Sequence, residues 1–348
     1  MKRIKYLIGI AALLSVMFAS GGCEKPLDLN GTYRDITVTY GILDPAEPVQ
    51  YVKVYKGYLT TENAITVAGN YEAVLYMDSI LVELTEKKNE KITRVIQLDT
   101  TTAVPKEPGT FSAPKQLLYY TKTTLDVDAS YELKITNKYT RAEKQASTTI
   151  VHPFSIAAPS NVMNLTVNSI PAKFTPPENG YAYDFYQRFY YIEVSNTTGE
   201  VVKRGYVTRK LNSNPVKSTG KESEIVYRFN PSNIYATIAN QLSPDPTVTR
   251  YADENTDGGC LELEIWAAEQ NLATYIDVGT ATSSIVNDRN FYTNFESADN
   301  SAYGIFSSRT RQNKRYGMQN TTTHNEDSLV NGSYTKNLGF DYFYKYQP

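Results

Sequence analysis

The first twenty-three residues set the conditions under which the rest of the chain must fold. Lys2, Arg3 and Lys5 make a positive start, Tyr6 to Ala19 is a predominantly apolar run, and Ala19-Ser20-Gly21-Gly22 leads into Cys23. A run of that length suits a secretory signal and falls short of the ~20 residues that span a bilayer. Small residues before a cysteine fit a lipoprotein signal, in which Cys23 carries diacylglycerol and palmitate chains and becomes the mature N-terminus. Two or more acyl chains hold a protein stably on a membrane. Residues 1–22 therefore read as a signal peptide and 23–31 as a lipidated tether. The usual leucine three places before the cysteine is replaced by Ser20, so an ordinary cleaved signal is the plain alternative. Glu24, in place of the aspartate that retains lipoproteins at the inner membrane, favours the outer membrane, with the face undetermined.

Spending Cys23 on an anchor leaves Cys260 as the other cysteine of the chain. With no internal disulfide, a hydrophobic core has to hold the mature protein together. Tyrosine is abundant at 29 residues, and tyrosine and threonine favour pleated, half-buried surfaces. A mainly β protein is expected. The 35 basic residues against 37 acidic ones show none of the basic excess of a nucleic-acid binder.

Alternation supports the same class. Ile36, Val38, Tyr40 and Ile42 alternate with smaller or polar residues, and Asp44–Pro48 breaks the strand before Val49–Tyr58. Further strands are expected at Tyr71–Met77, Ile80–Thr85 and Ile92–Leu98, the last two flanking the charged tip 86–91. Leu125 followed by a turn and Tyr131 resembles the tyrosine corner of immunoglobulin-like and fibronectin-like sandwiches, where the phenol bonds back to upstream backbone. Residues 32–152 are thus read as an immunoglobulin-like β-sandwich. Residues 153–177 are read as a proline-rich linker and domain entry, and 178–348 as a second β-rich domain with two short helices. Those helices follow Asn230-Pro231 and run from Ala268 to Val278, ahead of Gly279.

Two stretches carry candidate chemistry. Asp253, Asn255, Asp257 and Glu264 satisfy the D-x-N-x-D-G-x₅-E calcium-loop pattern. Prolines 244 and 246 and the strand pattern around Glu264 argue for an ordinary acidic turn instead. Tyr181, Tyr183, Tyr186 and Tyr190, in the aromatic tract 181–194, suit a glycan or peptide platform, or else pack alternately into the core. Arg309, Arg311, Lys314 and Arg315 read most simply as a hairpin tip, with anionic-ligand binding as the alternative, and Asp341–Tyr346 as a last strand or a surface patch. No nucleophile elbow, phosphate loop or zinc motif occurs, and His152 and His324 sit in unrelated settings. No cofactor is expected.

The order Leu261–Trp266, then Ala273–Ile276, then Asn290–Glu296, then Ala302-Tyr303-Gly304-Ile305-Phe306 resembles a family of uncharacterised Bacteroidota lipoproteins, a domain of unknown function. That family closes on an N-I-E-N-G-x-G-I-F segment; here Asn294-Phe295-Glu296 replaces Asn-Ile-Glu and the turn 297–301 is longer. The resemblance implies an outer-membrane lipoprotein associated with a TonB-dependent transporter and supplies no catalytic residues. The expectation is therefore a non-enzymatic accessory or binding protein. A structural or adhesive surface protein and a carboxylate-based glycoside hydrolase are the alternatives.

Overall fold

The computed structural model describes residues 35–57, 63–109, 115–160, 162–254, 258–281, 291–318 and 325–346. Cys23, the signal and the tether lie outside them, as do Asn255 and Asp257. The protein is mainly β, with 44% strand and 12% helix. The first part runs β1 (Thr37–Leu43), β2 (Gln50–Lys56), α1 (Ala64–Ala68), β3 (Ile80–Lys88), β4 (Lys91–Gln97), β5 (Asp99–Thr101), β6 (Leu118–Thr121), β7 (Ser130–Asn137) and β8 (Glu143–Thr149). The middle supplies β9 (Ile156–Ala158), β10 (Ile170–Phe174), β11 (Ala182–Ser195), β12 (Val201–Lys210), β13 (Val216–Lys217), β14 (Ile225–Phe229) and α2 (Asn233–Gln241). The last part holds β15 (Val248–Ala252), β16 (Leu261–Ala268), α3 (Gln270–Ala281), β17 (Glu296–Ser297), β18 (Ala302–Tyr316) and α4 (Asn325–Asn331).

One sheet, ordered β12-β11-β16-β18-β1-β2-β6-β5, runs through both halves of the chain. Its β1 end faces the sheet β17-β8-β7-β3-β4 across a core of Val52, Leu84, Tyr131, Leu133 and Phe306. Its β11 end faces the sheet β14-β10-β9 together with α2 and α4, across Phe174, Tyr183, Phe185, Phe189, Ile234 and Leu329. The strand β18 belongs to both. Its first half pairs in parallel with β1 and its second half antiparallel with β16. Phe295, Ala302 and Phe306 accordingly lie in the first core, and Tyr316 in the second. Residues 153–177 are no bare linker: they hold β9 and β10, and Ile156, Met163, Leu165, Ile170, Ala172 and Phe174 lie in the second core, while β17 and the start of β18 return to complete the first.

Gly304 marks where this return is tightest. Its φ is +111° and a Cβ there would meet Thr39 O at 1.9 Å; only glycine lets β18 lie that close to β1. The Tyr131 hydroxyl accepts from Asp126 N at 2.7 Å, the upstream bond expected of the corner, and donates to Glu86 Oε2 at 2.7 Å. The charged hairpin 86–91 is narrower than its charge run suggests. Strands β3 and β4 continue to Lys88 and Lys91, and only Asn89 and Glu90, both at positive φ, make the turn.

Three expected elements take other forms. Tyr71–Met77 is a series of turns: Val74, Leu75 and Tyr76 are buried, and Tyr76 Oη pairs with Asp35 and Thr37 instead of entering a ladder. Asp341–Tyr346 holds a 3₁₀ turn at Phe343–Lys345 in place of a strand. Arg309, Arg311, Lys314 and Arg315 lie within β18 and not at a hairpin tip. Arg309, Arg311, Asn313 and Arg315 alternate with Thr310, Gln312 and Lys314, so one polar side of the strand faces charged neighbours on β16, which hydrophobicity alone does not reveal.

Candidate functional site

The aromatic tract is the middle of β11, and its two-residue period divides the rings. Tyr183, Phe185, Phe189 and Tyr191 turn inward and are buried, while Asp184, Tyr186, Arg188 and Tyr190 turn outward. Of the four tyrosines expected to form a platform, Tyr183 is therefore a core residue, its hydroxyl donating to Gly180 O at 3.0 Å. Tyr186 and Tyr190 share the outward face; Tyr181 precedes the strand, joined to β16 through its N–H and Ala268 O.

Register builds the outward face in rows, because residues opposite each other in antiparallel strands point the same way. Tyr186, Glu264 and Asn313 form one row, Arg188, Glu262 and Arg315 the next, and Asp184, Trp266 and Arg311 a third. Arg188 places Nη1 on Glu262 Oε1 and Nη2 on Glu264 Oε1, each at 2.9 Å. Both glutamates keep only 2% side-chain exposure. Burial alone pulls the Arg188 guanidinium down, but Glu264 and Glu262 more than offset it and its proton affinity is raised. Asn313 Nδ2 donates to Glu262 Oε2, Arg315 Nε stands 3.6 Å from that oxygen, and Trp266 Nε1 donates to Glu264 Oε1 at 2.7 Å. Arg188 Nε is buried without a hydrogen-bond partner in the protein.

Beside this ladder, α3 closes a cleft of about 390 Å³, within the size range of small-ligand sites. Asp184, Tyr186, Arg188, Glu264 and Trp266 line its sheet side, with Ala182 and Ala268 as a low floor. Leu272, Ala273 and Ile276, one helical face at i, i+1 and i+4, form the α3 wall. Glu269 fixes the start of that wall: it accepts from Asn271 N and from Ser307 Oγ, while Ser307 Oγ also accepts from Leu272 N. Arg309 closes one end of the cleft, its guanidinium carbon 4.4 Å from the Trp266 ring centre. A second depression, lined by Arg188, Tyr190, Glu262, Glu264, Arg311, Asn313 and Arg315, continues from it.

The structure does not bring Asp253 and Glu264 together. Asp253 N bonds Tyr190 O, whereas Glu264 pairs with Tyr186, four residues or about 13 Å along the strand. Asp253 Oδ2 is held by Arg204 at 2.9 Å and Glu264 by Arg188 and Trp266. Glu264 thus leaves the calcium set and joins the ladder. Among the described residues no cluster of three or more His, Cys, Asp or Glu could hold a metal ion. Glu254 Oε1 accepts from Met318 N and from the Cys260 thiol. The outward run Glu262, Glu264, Trp266 against Arg309, Arg311, Arg315 was visible as opposite charges on two alternating segments, but only their pairing shows that they meet.

No protein-family model matches the chain, and no curated protein matches it.

Proposed function

We propose that this is a lipid-anchored outer-membrane protein that binds a small ligand in the α3 cleft and has no catalytic activity of its own. The cleft carries the proposal: one tryptophan, two tyrosines and an apolar helix face line a small-ligand volume beside fixed charged groups. Aromatic walls with a few placed polar groups are the usual make-up of such sites. A glycan or a short peptide is the class of ligand, and delivery to a TonB-dependent transporter is the role that the family resemblance adds.

The glycoside-hydrolase alternative needs two carboxylates flanking a bond. Glu262 and Glu264 are neighbours on one face of β16, yet both Glu262 oxygens and Glu264 Oε1 are occupied by Arg188, Asn313, Tyr190 and Trp266, and Arg311 Nη1 stands 4.0 Å from Glu264 Oε2. A carboxylate pair so engaged within the protein favours binding over hydrolysis.

Native mass spectrometry of the mature protein with oligosaccharide and peptide mixtures tests the proposal. Adducts on the wild type that vanish in a cleft-filled Ala268→Trp variant support it; adducts unchanged by that substitution move the ligand elsewhere.

A further inference from the structure

Resting on the reading of the α3 cleft as a binding site, we infer that it selects a small organic carboxylate with an apolar body, the carboxylate held by Arg309. The inference comes from how the charges around the cleft are already engaged. Asp184 is satisfied by Lys210 at 2.8 Å on one oxygen and by Asn212 at 3.0 Å on the other. Glu264 Oε1 takes both Arg188 and Trp266. These two carboxylates are neutralised from within the protein and offer little to a cationic ligand.

Arg309 differs. Among the described residues its one ion pair is with Asp44 Oδ2 at 3.9 Å, beyond hydrogen-bond range, and Asp44 Oδ2 itself is buried with no hydrogen-bond partner among them. The Trp266 ring, 4.4 Å away, fixes the guanidinium by its face. A guanidinium held by its face keeps its N–H donors along its edge, in the plane where a carboxylate docks two-pronged. The space beyond is apolar: Ala182 and Ala268 below, Leu272 and Ile276 beside, with Ile276 41% exposed. An acid whose charge sits on Arg309 lays its hydrocarbon part along that wall and covers it.

Isothermal titration calorimetry with 4-phenylbutyrate and its uncharged amide tests this on the mature protein. The acid is expected to bind at least about tenfold tighter than the amide. Arg309→Gln should erase that preference, with a thermal midpoint close to the wild type's showing that the variant is folded. Ile276→Asp should weaken both probes. Acetyl-alanyl-leucine, run beside phenylbutyrate, separates a peptide terminus from a plain acid by which binds tighter. Equal binding of acid and amide to the wild type overturns the inference yet leaves the cleft as a site. Acid preference surviving Arg309→Gln overturns it too, since the anion then docks elsewhere. If neither probe binds, the inference fails, and the adduct experiment with Ala268→Trp judges the binding reading separately.

Discussion

Arg309 lies diagonally across the β16–β18 pair from Trp266, its guanidinium carbon 4.4 Å from the ring centre. Arg311, directly opposite Trp266, is 5.4 Å from the same ring. A cation over an indole contributes about 0.5–1 kcal/mol where solvent reaches it. Its larger consequence is placement: the Trp266 indole, also bonded through Nε1 to Glu264, becomes a fixed edge of the cleft. Arg309 comes from the strand shared by both cores and touches Asp44 from the β1–β2 turn. The cleft in the second half is thereby tied to the first.

Removing Arg188 should be costly. Arg188→Met leaves Glu262 and Glu264 buried at 2% side-chain exposure without their shared cation. Breaking a buried pair from one side costs about 3–5 kcal/mol. Urea denaturation should show that loss, and Glu262→Gln with Glu264→Gln added to Arg188→Met should recover much of it. A loss under about 1 kcal/mol would mean that the ladder is a solvated surface feature.

The β class, the tyrosine corner and the two main helices were legible because each is local. Alternation over Ile36–Ile42, the Leu125-turn-Tyr131 sequence and the helical periodicities act within a dozen residues, but the helix ends differ: Ser232 and not Asn230 is the N-cap of α2, and Gly279 lies inside α3 and does not end it. The cleft was half legible. Tyr186 and Tyr190 stood out with the tract, but Trp266, Glu262 and Arg309 are brought together by antiparallel register over a separation of more than forty residues. Nothing within either segment encodes that partner. The continuous sheet was hidden for the same reason, since β1 meets β18 from opposite ends of the chain.

Tyr131→Phe should weaken the first core. The hydroxyl serves Asp126 N and Glu86 Oε2 together, and it leaves both without that partner when removed. Unsatisfied buried groups cost about 1–3 kcal/mol, measurable as a lower denaturation midpoint with an unchanged slope.

Asp44 gives a pH signature. Burial pushes its carboxyl above the ordinary 3.8, against the lowering pull of Ala46 N and Arg309. A raised folded-state value means that the folded chain binds more protons than the unfolded one between 3.8 and that raised value. The contribution is therefore present below 3.8 and is lost as pH rises through the folded value. Asp44→Asn keeps an oxygen for Ala46 N and removes the titration. As pH rises above 3.8 the wild type should lose stability relative to the variant, read from thermal midpoints at each pH. Parallel midpoints would show that Asp44 does not titrate differently on folding.

The anchor is tested by Cys23→Ser. Without an acyl site the protein should move to the soluble fraction of lysed cells, and metabolic labelling with palmitate should disappear. Full retention in membranes would exclude Cys23 lipidation as the sole attachment.

The central claim, that the α3 cleft is where ligand binds, has a built-in reporter, because Trp266 is the one tryptophan in the chain. Intrinsic tryptophan emission therefore reads the cleft alone. Titration with a ligand retained in the native mass-spectrometry experiment should change its intensity or wavelength saturably, with the same midpoint as calorimetry. Binding measured by calorimetry with no change in Trp266 emission would place the ligand somewhere else and contradict the account.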